Sequence, residues 1–148
     1  ILTALIDIPR RKIAYNFLEG GYEIVKESHV AYDLKLIVGD ENFVLNTSQA
    51  ILNGIPEKFS LSQNYPNPFN PVTRMDYTLP KRSRVVISIY NVLGQEVKTI
   101  INREQEYGYH SITWDGIDYR GKQMSSGVYF ARMNSESFSQ TKKMLLVK

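Results

Sequence analysis

Asn64-Tyr65-Pro66-Asn67-Pro68-Phe69-Asn70-Pro71 sets three prolines within six positions, the densest proline cluster in this chain of 148 residues. Pro66, Pro68 and Pro71 have no amide hydrogen to give to a β-ladder. Tyr65, Asn67 and Asn70 each precede a proline and are pushed away from helical backbone toward extended or polyproline geometry. Neither a helix nor an ordinary strand tolerates that run. The stretch therefore predicts a semi-rigid, extended connector that pairs little with any sheet and divides the chain in two.

Downstream of the connector the chain reads as strand after strand. Met75, Tyr77 and Leu79 alternate with Asp76 and Thr78, and Val85, Ile87 and Ile89 alternate with Ser88 and Tyr90, the period of two that marks a half-buried strand. Residues 80–83 turn, and so does Asn91-Val92-Leu93-Gly94, where Gly94 is free to take positive φ. Residues 96–101, 109–114, 127–133 and 141–147 continue the pattern. Six or seven short strands with turn chemistry between them, and no long helical period, predict an all-β fold: an immunoglobulin-like β-sandwich over residues 73–148. Trp114 shares a face with Ile112 at period two and reads as a core anchor of that sandwich.

Upstream, residues 1–45 predict a small β-rich segment, the end of an upstream domain or a subdomain. Tyr32, Leu34, Leu36 and Val38 fall on one face with Asp33 and Lys35 opposite, and Gly39-Asp40-Glu41-Asn42 supplies a turn. Residues 12–18 and 22–26 flank Glu19-Gly20-Gly21, a hairpin signal, while residues 1–8 fit either a strand or a short helix. Three or four strands are too few to close a sizeable core alone. Residues 46–72 read as a linker. It is polar and loop-like to residue 62, punctuated by Gly54 and Pro56, with helical character around residues 47–52 where Thr47 or Ser48 can cap.

Composition narrows the function classes. The formal charge is +3 and the basic residues are scattered, with Arg10-Arg11-Lys12 the densest cluster, so no nucleic-acid partner is expected. The absence of cysteine removes a thiol nucleophile, a thiolate zinc site and a disulfide framework together. No apolar run approaches the roughly 18–20 residues of a membrane-spanning helix, so direct membrane insertion is not expected. Ile1 begins inside an apolar stretch with no signal sequence ahead of it, and the chain is expected to be the tail of a longer precursor.

The stretch from Trp114 to Gly121 invites a calcium reading, because Asp115 and Asp118 sit among glycines in a tight loop. The spacing is not that of an EF-hand, and aspartates that bond their own backbone beside Gly116 and Gly121 explain it as a turn. No metal and no cofactor is expected. His29 and His110 are the only histidines, and neither stands beside a nucleophile-elbow, phosphate-loop or HExxH pattern, so no catalytic residue is assigned and the chain is expected not to be an enzyme.

From Phe59 the chain reads FSLSQNYPNPFNPVTRMDYTLP, then VVISIYNVLGQEVKTI, then YHSITWDGIDYRGKQMSSGVYFARM, and it stops at KKMLLVK. Over residues 55–148 this resembles the type A C-terminal sorting domain carried by cargo of the Bacteroidetes-like type IX secretion system, with an immunoglobulin-like core of the flagellar-hook-cap kind. The resemblance implies a sorting motif made of Tyr65, Pro66, Asn67, Pro68, Phe69, Asn70 and Pro71 together with the tail Lys143, Met144, Leu145, Leu146, Val147 and Lys148. It implies fold-defining roles for Gly94, Trp114, Asp115, Gly116, Gly121 and Gly127. The implied partners are the outer-membrane secretion machinery, a sortase-like peptidase and an upstream cargo domain, and the implied destination is secreted or cell-surface, reached through the periplasm. A terminal strand with an apolar middle and a free end is also one that a partner can capture by strand addition. The alternative reading is a structural or carbohydrate-binding adhesive β-sandwich, with Trp114 and the tyrosines as a sugar-stacking face.

Overall fold

A computed structural model describes residues 2–8, 11–15 and 34–148. They fall into two compact units, Ile1–Ile55 and Pro56–Lys148. The hairpin expected about residues 19–21, the strand positions Tyr32 and Asp33, and His29 lie outside the described residues.

In the first unit, strands β1 (Leu2–Asp7), β2 (Lys12–Tyr15) and β3 (Leu34–Gly39) form an antiparallel sheet with β1 in the middle. β1 buries Ala4 and Ile6, with Ile8 just beyond it. The expected facing of β3 is reversed: Leu36 and Val38 are 58% and 51% exposed, whereas Ile37 is buried. Leu36-Ile37-Val38 is apolar on both faces, so alternation alone does not fix which one turns inward.

Helix α1 (Glu41–Asn53) includes residues 47–52, where helical character was expected, but it starts earlier, at the expected turn, and Asp40 is its cap in place of Thr47 or Ser48. Asp40 caps it, its side chain accepting from the Phe43 amide at 2.9 Å, and Glu41 sits favourably in the first turn against the helix dipole. Val44, Ser48 and Leu52 recur every four residues and form its buried stripe. The far end is closed from β2's side of the sheet: the Arg11 guanidinium donates to the Leu52 and Ile55 carbonyls, both at 2.8 Å. The Leu52 carbonyl belongs to the last turn, where intrahelical donors run out, and Ile55 lies just beyond the helix. The expected linker over residues 46–72 is thus replaced. Residues 46–53 are helical in the first unit, and residues 60–72 build part of the second.

The second unit is the sandwich. One sheet has the order β10-β9-β6-β7, from β6 (Ser83–Tyr90), β7 (Glu96–Gln105), β9 (Gly127–Ser135) and β10 (Phe138–Leu146). The other has the order β4-β5-β8, from β4 (Ser60–Leu61), β5 (Thr73–Leu79) and β8 (Gly108–Trp114). All pairings are antiparallel. Met75, Tyr77 and Leu79 face Val85, Ile87, Ile89, Ala131 and Met133 across one buried core, so the alternation read from the sequence marks the true inward set. Burial of this apolar area against the other sheet is the main stabilising term. Gly94 takes φ +75° in the β6–β7 turn, where no side chain is compatible without strain.

Candidate functional site

The proline-rich segment does not run free of the sheets. Tyr65 and Arg74 exchange backbone bonds at 2.8 and 2.9 Å, tying the segment's start to β5. Four residues on, the Phe69 amide donates to the Leu145 carbonyl at 3.0 Å and the Val147 amide donates to the Phe69 carbonyl at 2.9 Å. The Leu145 amide donates to the Asn67 side-chain oxygen at 2.9 Å, and the Gln63 side-chain amide donates to the Lys143 carbonyl at 2.7 Å. The segment is a clasp from the three-stranded sheet to the edge strand of the four-stranded one. Proline logic had excluded ladder donors at positions 66, 68 and 71, but the amides that pair belong to Tyr65, just before them, and Phe69, between them.

The Phe69 side chain anchors this clasp in the core. It is 1% exposed, its ring centroid lies 5.6 Å from that of Trp114, and Trp114 meets Tyr129 edge-on at 5.1 Å. The Trp114 indole donates to the Ile117 carbonyl at 3.0 Å, so its polar end is satisfied. Trp114 is therefore buried packing and takes no part in a sugar-stacking face. Asn64, itself buried, donates to the Pro66 carbonyl and to the Thr73 hydroxyl, both at 3.0 Å, and Thr73 donates to the same carbonyl at 2.8 Å. The peptide bonds before Pro66 and Pro68 are cis. Gly116 lies under the end of the clasp, where a Cβ would come to 3.3 Å from the Pro71 carbonyl.

The tail splits by face. Met144 and Leu146 are in the core, whereas Lys143, Leu145, Val147 and Lys148 are outside it, and the Lys148 amide donates to the Ser126 hydroxyl at 3.1 Å. The outward backbone groups of β10 at Lys143, Leu145 and Val147 are engaged by residues 63–69. The strand end expected to be open to strand addition is covered from within the chain at these three positions. Of the turn residues, Asp115 accepts from the Ile117 amide at 3.3 Å and lies 3.4 Å from the Lys98 ammonium, while Asp118 accepts from the Arg120 and Lys122 amides at 2.8 Å. These are Asx-type turns, closed in part by Gly121, and Gly127 opens β9. His110 stacks on Tyr77 at 5.1 Å, with its Nε2 2.9 Å from the Glu106 carbonyl. Burial pushes the Tyr77 and Tyr129 phenols up.

Residues 71–138 match the FlgD Ig-like domain family. The solved structures that the chain is similar to include latent dimeric PorU from Porphyromonas gingivalis, at 21% identity and TM-score 0.49, covering 62% of this chain and 10% of that one. PorZ, described as an essential surface component of the type-IX secretion system of the same organism, is 15% identical with TM-score 0.43, covering 62% and 12%. FlgD from P. aeruginosa is 26% identical with TM-score 0.39, covering 50% and 58%. No curated protein matches. The chain spans about a tenth of the length of PorU and of PorZ.

The two halves of the sequence-derived motif, 78 positions apart at the Asn67–Leu145 bond, thus form one connected element. Sequence reading missed Gln63, Asn64 and Thr73, which hold the clasp, and Gln140, whose side-chain oxygen accepts from the Leu61 amide at 2.7 Å. The signal for the first two was present as amide side chains placed immediately before a proline run, where backbone donors are scarce.

Proposed function

We propose that this chain carries a C-terminal sorting domain that directs a cargo across the outer membrane by the type IX route, with recognition by the secretion machinery and processing by a sortase-like peptidase. It acts as an address and not as an enzyme, and its cargo ends up secreted or on the cell surface. Motif order over residues 55–148 supports the reading. The observation that carries it is the clasp: Phe69 and Asn67 hold Leu145 and Val147, so the two ends of a split motif, with its exposed residues, are brought together only by the folded protein.

The test fuses the whole chain behind a reporter in a host that owns the secretion system. The parent is expected to reach the surface, and Lys143→Glu combined with Lys148→Glu is expected to hold the reporter in the periplasm. Both side chains are exposed, so stability should shift by less than about 0.5 kcal/mol for each. A parent fusion that never leaves the periplasm, or equal surface delivery by parent and variant, overturns the proposal.

A further inference from the structure

The outer face of the four-stranded sheet carries a groove that neither the core nor the clasp uses. Cross-strand register sets Lys143 of β10 opposite Phe130 of β9 and Phe130 opposite Tyr90 of β6. One step along, Thr141 faces Arg132 and Arg132 faces Ser88. Their neighbours Tyr129, Ala131, Met133 and Met144 point into the core, so Phe130, Arg132 and Lys143 stand on the outside. Tyr90, Asn91, Val92, Phe130, Arg132 and Thr141 line an open groove of about 320 Å³. The β6–β7 turn forms its rim and carries two adjacent aliphatic side chains into solvent, Val92 at 67% exposed and Leu93 at 78%. Contiguous exposed apolar surface rimmed by polar residues is a mark of an interaction site.

The charges on this face select the ligand. Among the described residues neither Arg132 nor Lys143 has a carboxylate within ion-pair reach. Arg132 lies over the Tyr90 ring at 5.8 Å, and its Nε is 3.4 Å from the Thr141 hydroxyl. Two acids share the face: Glu96, opposite Tyr90, accepts from the Thr99 hydroxyl at 2.7 Å, and Glu104, opposite Arg84, lies 3.9 Å from the Arg82 guanidinium. A guanidinium held on an aromatic ring offers its fork to a carboxylate, with Lys143 as a second cation one strand away. Adhesion to an anionic bilayer calls on clusters of about 4–8 basic side chains, whereas here Arg132 lines the groove and Lys143 stands beside it, opposite Phe130. A pyranose would need an open ring face, and Arg132 covers that of Tyr90.

We propose that this groove docks a protein segment in which an acidic residue neighbours an aromatic or large aliphatic one, the carboxylate going to Arg132 and Lys143 and the apolar side chain to Phe130 and Val92. The proposal rests on the sorting reading for the identity of the partner as export machinery, and deepens it by giving the partner's chemistry. The binding itself is tested without that reading. The isotope-labelled full chain is titrated, by amide NMR, with acetyl-Gly-Asp-Phe-Asp-Gly-amide and with its Asn-for-Asp counterpart. Saturable shifts at Phe130, Arg132 and Thr141 are expected with the acidic peptide only, weakened about tenfold by Arg132→Gln, the loss of a charge-assisted pair. Equal shifts with both peptides, no shifts, or shifts at these amides with phosphatidylglycerol vesicles in place of the peptide overturn it.

The reporter fusion then separates the two proposals. A parent that is delivered to the surface while its groove shows no acid-dependent binding sinks the groove and leaves the address. Acid-dependent binding with a parent that is never delivered does the reverse. Joint support requires Arg132→Gln to lose both peptide and delivery.

Discussion

Replacing Phe69 with alanine tests whether the clasp is held by its side chain. Phe69 is almost wholly buried and packs on Trp114, so truncation forfeits its transfer free energy and leaves a cavity against the indole, a loss of about 3–5 kcal/mol. Its two bonds to β10 are made by backbone atoms and are not deleted by the substitution. They lose their anchor, which places the cost at about 4 kcal/mol, within that range. Against a total of about 5–15 kcal/mol the sandwich remains folded but the edge of β10 opens. Guanidinium unfolding followed by fluorescence of the sole tryptophan measures the first effect, since Trp114 reports on this unit alone. Hydrogen exchange measures the second: the Leu145 and Val147 amides, which donate to Asn67 and Phe69, should lose protection while the amides of β9 keep theirs. Tyr65, 81% exposed in the same segment, is the control, and Tyr65→Ala should cost less than about 0.5 kcal/mol. A loss below about 1 kcal/mol for Phe69→Ala, or unchanged protection at Leu145 and Val147, would refute the reasoning.

Ser48 is fully buried on the inner stripe of α1 and its hydroxyl has no hydrogen-bond partner among the described residues, so Ser48→Ala should stabilise the first unit by about 1–2 kcal/mol, measured by thermal unfolding; a lower midpoint counts against it. In alkali the Tyr77 and Tyr129 phenols, pushed up by burial, hold their protons more tightly in the folded than in the unfolded chain. Their contribution is therefore fully present below the ordinary tyrosine value of about 10 and is lost as pH rises through the raised folded values. The guanidinium midpoint of the sandwich should fall above about pH 10, and fall less in Tyr77→Phe; a midpoint that stays level over that range is the contrary result.

The parts of the fold that were legible are those where local pattern and burial agree. In β5 the triplet Met75, Tyr77 and Leu79 is separated by polar residues, so one parity alone can face inward. In β3 the apolar run Leu36-Ile37-Val38 offers both parities, and tertiary packing chose Ile37. Helix α1 was legible only over residues 47–52; its first half was obscured because Ser48 interrupts the apolar stripe with a hydroxyl and because Gly39-Asp40 resembles a turn, although aspartate there is an N-cap. The clasp was illegible for a different reason. Proline rules state which positions cannot donate, and they are silent about the amides between them. The partner strand of Phe69 lies 76 positions away in the chain, paired through Leu145, and no local pattern encodes that distance.

The clasp also changes how a tail such as Lys143–Lys148 can be read by a partner. Were β10 an open edge, its backbone would be the natural point of capture, and side-chain identity would matter little. Residues 63–69 already occupy that edge at Lys143, Leu145 and Val147, so a partner meeting the folded domain finds side chains and not ladder groups. What the tail then offers is the outward series Lys143, Leu145 and Val147, with Lys143 beside the Phe130–Arg132 groove. Deleting the tail confounds this with stability, because Met144 and Leu146 leave the core together with the exposed residues. Charge reversal at Lys143 leaves both core residues in place, and for that reason it distinguishes recognition of a face from capture of an edge.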